Sequence, residues 1–317
     1  MGNIRAPRIG TMQFWPRKRA EKPIARIRSW VNSKEVKLLG FAGYKVGMTS
    51  LIAVDNRSST LTKGQEIFFP VTIIECPSLK VASIIFYKNS KILSSITSPK
   101  MDKELARKIS IPKKESKKLE EIKDYDDLRL LVYTQPKLTT IGKKKPELFQ
   151  IAIGGNLDEK LSYAKEHLDK EINITDFIKE GQTVDIHSIT KGKGVQGPVK
   201  RFGVSIRRHK SEKTKRGVGS LGPWRGQGHI MYRVAHAGQT GYHQRFEHNK
   251  QILKISSVPS EINSTSGFKH YGIVKNNYIL LKGSVAGSPK RTILFTESIR
   301  PNKKIPKEAP TISYIRK

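Results

Sequence analysis

The part of the chain that most constrains its fold runs from residue 191 to residue 254 and is strongly cationic. It holds fifteen Lys and Arg residues and only two acids, Glu212 and Glu247. Frequent glycine and proline interrupt residues 191–250, so neither a helical nor a strand period is sustained there. A compact domain seldom carries so long an irregular segment unless it is a binding loop or is ordered by a partner. We therefore expect a basic central loop extension at 191–250.

The charge of the whole chain indicates the nature of that partner. Sixty Lys and Arg residues oppose 27 Asp and Glu residues, which gives a formal net charge of +33 over 317 residues. A charge of this size repels itself unless an anion neutralises it. We expect the partner to be large and negatively charged.

The single cysteine and the hydropathy pattern indicate the compartment. Cys76 alone cannot form an intramolecular disulfide framework or a cysteine-rich zinc site, which suits a reducing environment. No apolar run has the length of a membrane span, and the first residues, "MGNIRAPRIG", lack the apolar stretch of a signal peptide. We expect a cytoplasmic protein with no membrane partner.

Short β-branched and apolar runs punctuated by glycine predict strands towards both ends of the chain. They are "VKLLGFAGYKVGM", "FPVTIIEC" and "KVASIIFY" early on, and "TVDIHSI", "HYGIVKNNYILLKG" and "RTILFTES" much later. Asn276 and Asn277 separate two alternating runs, which predicts a type I′ hairpin turn. Together the runs predict a closed or nearly closed β-barrel. Its strands are expected in three segments of the chain, at 36–87, 181–190 and 251–300.

Residues 88–180 have a different texture and predict an inserted small α/β module. The stretches "MDKELARKI", "KKESKKLEEIKDYDDL" and "NLDEKLSYAKEHLDK" favour helices, and "LRLLVYT" and "LFQIAI" favour strands. Acids outnumber bases from Asp158 to Glu180, so we expect this module to face solvent or protein. The remaining segments are a basic N-terminal arm at 1–35 and a basic C-terminal tail at 301–317.

The stretch "GKGVQG", residues 192–197, has the glycine spacing of a dinucleotide-binding turn. Such a turn ends a strand, opens a helix and is followed about 20 residues later by an acid. Pro198 and Gly203 disfavour a helix in "GPVKRFGV", and the nearest acid, Glu212, lies among lysines. "GFAGYKVGMTS" fails as a phosphate loop because Met48 stands where lysine is needed. We expect no cofactor and no small-molecule substrate; the glycines instead allow close approach of the backbone to phosphates.

Five of the eight histidines lie between residues 209 and 248. No carboxylate accompanies His229 or His236, which disfavours a zinc or di-metal hydrolase. Histidine in a basic segment more often stacks on bases or bonds to phosphate and 2′-hydroxyl groups. The interleaved aromatic residues Phe202, Trp224, Tyr232, Tyr242 and Phe246 suit unstacked bases in RNA. A non-enzymatic RNA-binding protein is therefore expected, with a metal-dependent RNA-processing enzyme that uses the 209–248 histidine cluster as the alternative.

Several of these stretches together resemble one family, the third protein of the large ribosomal subunit in its archaeal and eukaryotic form. "APRIGTMQFWPRKRA" is similar to the family's N-terminal arm, and "GFAGYKVGMT" and "VTIIECP" are similar to its barrel entry. "GPVKRFGV", "GSLGPW" and "AGQTGYHQRFEHNK" resemble its central extension, and "KGSVAGSPKR" resembles its C-terminal RNA-binding turn. The motifs occur in family order along nearly the whole chain, which makes the resemblance far more specific than any one of them.

The resemblance implies a fold, a function and partners. The fold is a translation-protein-type β-barrel with an inserted small α/β module and long basic irregular extensions, a mixed β and α/β class. The function is that of a structural constituent of the large ribosomal subunit, which binds its rRNA and supports assembly. Neighbouring large-subunit proteins are further partners, and the central loop would approach the peptidyl transferase centre with Trp224 at its tip.

Charge pattern and resemblance together give the candidate RNA-binding residues. In the arm and first strand they are Arg17, Lys18, Arg19 and Lys45. In the central loop they are Lys191, Lys193, Lys200, Arg201, Arg207, Arg208, His209, Lys210, Arg216, Trp224, Arg225, His229, Arg233, Gln239, Tyr242, His243, Arg245 and Lys250. In the C-terminal turn they are Lys290 and Arg291. No catalytic residue and no metal ligand are assigned.

Overall fold

The computed structural model describes residues 10–112, 122, 124–211, 214–222 and 228–317, and it consists mainly of β-strands with few helices. The described strands are β1 (Gly40–Val54), β2 (Glu66–Glu75), β3 (Leu79–Lys88), β4 (Lys91–Thr97), β5 (Asp127–Thr134), β6 (Leu148–Ala152), β7 (Glu171–Ile172), β8 (Thr183–Ile189), β9 (Val195–Gln196), β10 (Gly238–Gln239), β11 (Gln244–Ser256), β12 (Tyr278–Lys282), β13 (Thr292–Glu297) and β14 (Ile312–Ile315). The α-helices are α1 (Leu157–His167) and α2 (Pro198–Phe202). Short 3-10 helices cover Met12–Phe14, Lys103–Arg107, Pro136–Leu138, Ile174–Asp176 and Pro259–Glu261.

The chain divides into two compact units. One combines residues up to Lys22 with Ile189–Gln244, and the other combines Pro23–Ser188 with Arg245–Lys317. The larger unit contains the two main sheets and most of the buried apolar side chains. It is therefore the unit with a conventional hydrophobic core.

A seven-stranded antiparallel sheet occupies most of the larger unit. Its strand order is β13-β8-β11-β12-β2-β1-β14, and β13 pairs additionally with β1. In that second pairing Phe41 lies opposite Phe295. β1 can pair with three strands because it is 15 residues long, and its register against β2 shifts between Lys45 and Gly47.

Strand β1 contributes side chains to two hydrophobic cores. Phe41 packs in a core shared with the second sheet, together with Ile84 and Leu130. Further along, Tyr44 and Leu51 pack in a separate core of the seven-stranded sheet. Burying one such side chain stabilises the fold by about 1.5–3 kcal/mol. The β-branched and aromatic runs of the sequence are thus buried strands.

The second sheet has five strands, in the order β4-β3-β5-β6 with β7 paired to β3. Its presence changes one predicted boundary, because the sequence pattern places "KVASIIFY" in the barrel segment 36–87. That run forms β3, which pairs with β4 and β5 and not with the seven-stranded sheet. Composition could not reveal this, since strands of both sheets are equally apolar.

The predictions for the middle of the chain are mixed. The helix predicted in "NLDEKLSYAKEHLDK" is present as α1. Its first turn is capped by the backbone amide of Asn156, which donates to the Glu159 carboxylate at 3.0 Å. "LRLLVYT" and "LFQIAI" form β5 and β6. "MDKELARKI" forms only the short 3-10 helix. Most of "KKESKKLEEIKDYDDL" lies outside the described residues.

Both predicted terminal extensions are partly built into the larger unit. Ile24 and Ala25 of the predicted arm are buried. The Trp30 ring lies so close to Gly40 that a Cβ there would be 2.9 Å from it. At the other end, β14 of the predicted tail pairs with β1, with Tyr314 opposite Ile52. Both segments are ordered by contacts with residues distant in sequence.

The hairpin turn predicted at Asn276-Asn277 is wrong. A type I′ turn needs positive φ at both central residues, and neither asparagine has it. Instead, the backbone amide and side-chain amide of Asn276 both donate to the carboxylate of Glu75, at 2.9 and 2.7 Å. Glu75 is fully buried and also accepts from the Tyr271 hydroxyl and the Lys275 amide. A buried carboxylate, not a hairpin, organises this turn.

Candidate nucleic-acid interface

The basic arm and the basic loop form one compact unit, called here the arm–loop unit, which consists of the described residues of 10–22 and 189–244. At its centre is α2, which begins at Pro198 and is closed by Gly203 with φ of 69°. Proline suits a first helical position, and glycine suits a left-handed cap. The prediction that "GPVKRFGV" forms no helix is therefore wrong, because its proline and glycine lie at the two ends of a five-residue helix.

This short helix does not restore a dinucleotide site. Strand β8 before it pairs antiparallel with β13, and β9 pairs antiparallel with β10. A dinucleotide turn requires a parallel strand–helix–strand unit. The glycine stretch at 192–197 thus belongs to a small antiparallel ribbon.

Phe202 on α2 is the packing centre for the arm. Its side chain is buried, the Trp15 ring centroid lies 6.0 Å away, and the Arg17 guanidinium carbon lies 4.4 Å above the ring. Arg17 also donates to the Arg201 carbonyl at 3.1 Å. Gly10 lies so close that an added Cβ would be 2.1 Å from the Phe202 ring. An aromatic and cation–π cluster therefore fixes the arm on the loop.

Arg201 is directed into the unit and not away from it. Its guanidinium donates to the His236 carbonyl at 2.9 Å and to the Gln239 carbonyl at 3.2 Å. Burial lowers its pKa, and the neighbouring Arg17 lowers the pKa further. A Cβ on Gly238 would lie 2.9 Å from the guanidinium. Arg201 thus holds two distant segments of the loop together.

His243 and Tyr242 join the loop to the arm through backbone contacts. His243 is buried, and its Nδ1 donates to the Lys18 carbonyl at 2.7 Å. The Ala20 amide donates to the Tyr242 carbonyl at 2.8 Å, and the Arg19 guanidinium lies 5.4 Å from the Tyr242 ring. These contacts place Lys18 and Arg19 beside the loop cations.

Other cations of the arm–loop unit point into solvent. Arg207 and Arg208 lie in a turn in which the Arg207 amide donates to the Lys215 carbonyl at 3.1 Å. Lys215 is exposed in the same turn; it is absent from the predicted residues, although the charge run "KTKR" could have identified it. Within the described residues, the following exposed side chains make no salt bridge: Lys18, Arg19, Lys191, Lys193, Lys200, Arg207, Arg208, His209, Lys210 and Arg216.

A second group of predicted residues lies in the larger unit, at the turn 283–291. Lys45 is buried, and its ammonium donates to the carbonyls of Val285 and Gly287. This burial does not fit the prediction that Lys45 is an RNA-binding residue. Lys250 donates to the Ser284 carbonyl at 2.9 Å and pairs with Glu247. Lys290 is exposed, and Arg291 is half-buried.

The remaining predicted residues have varied surroundings. Gln239 donates to the Gly241 carbonyl at 2.8 Å. His229, Arg233 and Arg245 take part in contacts within the protein. Trp224 and Arg225 lie outside the described residues.

The histidines do not form a metal site in the described residues. No group of three or more His, Cys, Asp or Glu side chains there is arranged to hold a metal ion. His243 bonds to the arm, and His248 bonds through Nδ1 to Asp185 at 3.1 Å. The helices of the same residues lack the length and apolar character of a membrane span.

Exposed cations that make no salt bridge in the described part of the arm–loop unit are characteristic of the class of proteins that bind a polyanion. Comparison with known proteins narrows this class. Residues 1–316 match the family described as ribosomal protein L3. The chain belongs to the ribosomal protein L3 family, which is a family of structural proteins and not of enzymes.

Archaeal relatives align with this chain along almost its whole length. The chain is 46% identical to the large ribosomal subunit protein uL3 of Methanocaldococcus jannaschii over 326 aligned residues, which cover 99% of this chain and 97% of that protein. It is 45% identical to uL3 of Methanobrevibacter smithii, with 98% and 96% covered. It is 42% identical to uL3 of Archaeoglobus fulgidus, with 94% and 93% covered. The predicted family is confirmed, and the metal-enzyme alternative is not supported.

Proposed function

We propose that this protein is a structural constituent of the large ribosomal subunit in the cytoplasm and that it binds the rRNA of that subunit. The observation that carries the proposal is the family match over residues 1–316, together with relatives that are named as large-subunit proteins. A net charge of +33 gives the physical reason for a nucleic-acid partner.

We infer two different roles for the residues of the arm–loop unit. The exposed cations of the arm–loop unit neutralise phosphates, whereas Arg17, Arg201 and His243 hold the arm and loop in place for them. Exposed Lys290 extends the phosphate contacts to the larger unit. Backbone contacts of this kind fix position and orientation on RNA and carry no base sequence information.

We also infer how the two sheets and the central loop contribute to this function. We infer that the seven-stranded sheet closes as a translation-protein-type barrel, and the additional β13–β1 pairing supports this. The five-stranded sheet with α1 is the inserted module, and it meets neighbouring large-subunit proteins. The central loop extends towards the peptidyl transferase centre, as the resemblance to the family implies.

Sedimentation tests the proposal. A tagged full-length chain expressed in an archaeal host should migrate with the large subunit through a wash at roughly 0.5 M salt, because many phosphate contacts act together. Reversing two loop charges, Arg207→Glu with Arg208→Glu, should reduce this association. The matched control, Lys88→Glu with Lys91→Glu, changes net charge equally on the five-stranded sheet, away from the proposed phosphate contacts, and should reduce association far less. A wild-type chain that remains at the top of the gradient would contradict the proposal.

A further inference from the structure

One face of the seven-stranded sheet, where β14, β1 and β2 lie side by side, is exposed and apolar. Ile52 on β1 lies opposite Phe68 on β2 and opposite Tyr314 on β14. Phe68 is 65% exposed, Tyr314 58% and Met48 50%. We call Met48, Ile52, Phe68 and Tyr314 the platform.

Met48, Phe68 and Tyr314 are exposed although their neighbours are buried, and Ile52 of the platform is half-buried. Leu51 and Phe69 alternate with the platform residues and are buried in the core beneath. Ile315 packs against the same core from β14. The sheet is therefore firmly packed on one side, and its other side presents two aromatic rings to solvent. Exposed apolar side chains that adjoin one another in this way are typical of binding surfaces.

A cation-lined cavity adjoins the platform. Its volume is about 480 Å³, and Met48 and Phe68 form part of its apolar lining together with Phe268. The charged side chains that line it are Lys269, Arg316 and Lys317, with no carboxylate among the lining residues. None of these three cations makes a salt bridge within the described residues. Glu66, at the start of β2, accepts a hydrogen bond from the Ser313 hydroxyl.

The C-terminal strand holds these cations in position. The Arg316 amide donates to the Ser50 carbonyl at 3.0 Å, and the Thr49 hydroxyl donates to the Arg316 carbonyl at 2.8 Å. The backbone of Arg316 is thus fixed at the edge of β1. Arg316 and Lys317 both line the cavity, as Phe68 does.

We propose that the platform and its cavity bind unpaired nucleotides of an RNA strand. Phe68 and Tyr314 each stack a base, and Lys269, Arg316 and Lys317 bind the adjoining phosphates. β2 and β14 flank β1, so the two rings stand roughly 10 Å apart, which suits two bases that are not stacked on each other. Flat rings beside cations are the combination that captures splayed bases on other sheet surfaces. This inference rests on the proposed RNA-binding function.

Cross-linking of the full-length chain tests the site. A short unstructured oligonucleotide that contains 4-thiouridine is bound to the protein and irradiated, and the adducts are mapped by mass spectrometry. We expect adducts on the peptides that contain Phe68 or Tyr314. Phe68→Ala or Tyr314→Ala should lower the adduct yield on the platform by roughly tenfold. Phe68→Trp keeps a ring and should retain the yield.

The matched control is Ile92→Ala, which removes an exposed apolar side chain from the five-stranded sheet and should not alter the platform adducts. Because Phe68 and Tyr314 are exposed, circular dichroism should show that the variants remain folded. The salt dependence of total RNA binding should be unchanged in Phe68→Ala, since no cation is lost, whereas Arg316→Gln should lower its slope by about one.

Different outcomes separate the two proposals. Adducts confined to 10–22 and 189–244 would overturn the platform site and leave the proposed function standing. Absence of RNA binding altogether would overturn both. In intact large subunits, a photoreactive benzoylphenylalanine introduced by substitution at Phe68 should cross-link to rRNA. A cross-link to protein alone would show that this face docks a neighbouring protein, and the inference would be wrong.

Discussion

Predicted RNA-binding residues differ in what their side chains do. Arg207 and Lys191 extend into solvent without an ion-pair partner in the described residues, whereas Arg201 and Lys45 donate to backbone carbonyls inside their units. A cation whose donors bond to backbone carbonyls holds the backbone in place. Those donors are then not available to bind a phosphate. We therefore expect substitutions at Arg201 to disturb loop structure, and substitutions at Arg207 to reduce RNA affinity directly.

Glu75 provides a test of buried charge in the larger unit. Glu75→Ala removes the acceptor for the Tyr271 hydroxyl and for the amides of Lys275 and Asn276. Leaving these donors unsatisfied should lower the free energy of unfolding by about 3 kcal/mol. Urea denaturation measures this loss. Glu308→Ala, at an exposed acid, should change it little, and equal effects of the two variants would contradict the assignment.

His187 should make stability depend on pH. Burial lowers the pKa of His187 to about 4, Asp185 raises it, and His248 lowers it. In the unfolded chain the histidine pKa is about 6.5. Between these values the unfolded state binds a proton that the folded state does not, so stability is complete above about pH 6.5 and falls as the pH drops towards 4.

The measurement is the urea midpoint at about pH 7 and about pH 5. Wild type should lose up to about 2 kcal/mol over this interval, and His187→Gln should lose clearly less. His209→Gln, at an exposed loop histidine, is the control and should behave as wild type. An unchanged pH dependence in His187→Gln would show that another group is responsible.

At the scale of elements, the short helix α2 anchors the N-terminal arm. It places Phe202 where Trp15 and Arg17 pack on one ring, while its flanking glycine permits an abrupt end. The helix is too short to be stable in isolation. Its stability therefore depends on the arm, as the position of the arm depends on it.

Phe202→Ala should release the arm from the loop. Loss of the ring removes the contacts with Trp15 and Arg17 and opens a void against Gly10. Trypsin cleavage after Arg17, Lys18 or Arg19 should then become about tenfold faster, since local opening controls proteolysis. Leu61→Ala, at a fully exposed side chain, is the control. Equal cleavage rates would show that Phe202 does not hold the arm.

At the scale of the whole molecule, paired charges and unpaired cations lie in different parts of the described structure. The five-stranded sheet and α1 carry paired charges, such as Lys160 with Asp127 at 2.9 Å and Lys170 with Glu166 at 2.8 Å. The described salt bridges all lie outside the arm–loop unit. The exposed cations of the arm–loop unit therefore lack salt bridges in the described residues. An anionic partner would balance their charge.

The salt dependence of RNA binding should report these unpaired cations. Arg207→Ala or Arg208→Ala should lower the slope of log affinity against log salt by about one, because one phosphate contact is lost. Filter binding of the full-length chain to an rRNA fragment at several salt concentrations measures the slope. Lys88→Ala, which removes one exposed charge from the five-stranded sheet, should leave it unchanged. A slope that is the same in all variants would exclude direct phosphate contact by Arg207 and Arg208.

The sequence by itself determined the partner class, the family and the identity of most strands. Runs of unopposed lysine and arginine stay cationic whatever the fold, so the need for a polyanion follows from composition alone. Motifs in family order identified ribosomal protein L3, and local period identified α1, β5 and β6. These properties depend on residues that are near one another in the chain.

Only the tertiary structure decided which strands share a sheet and which cations remain free. β3 lies in the second sheet and β14 in the first, and the side chains of Lys45 and Arg201 point into the protein. Each of these placements depends on partners that are far away in sequence. The platform of Phe68 and Tyr314 likewise arises only when β2 and β14 are paired to opposite edges of β1. Burial is a property of such long-range contacts, and no local pattern of residues contains it.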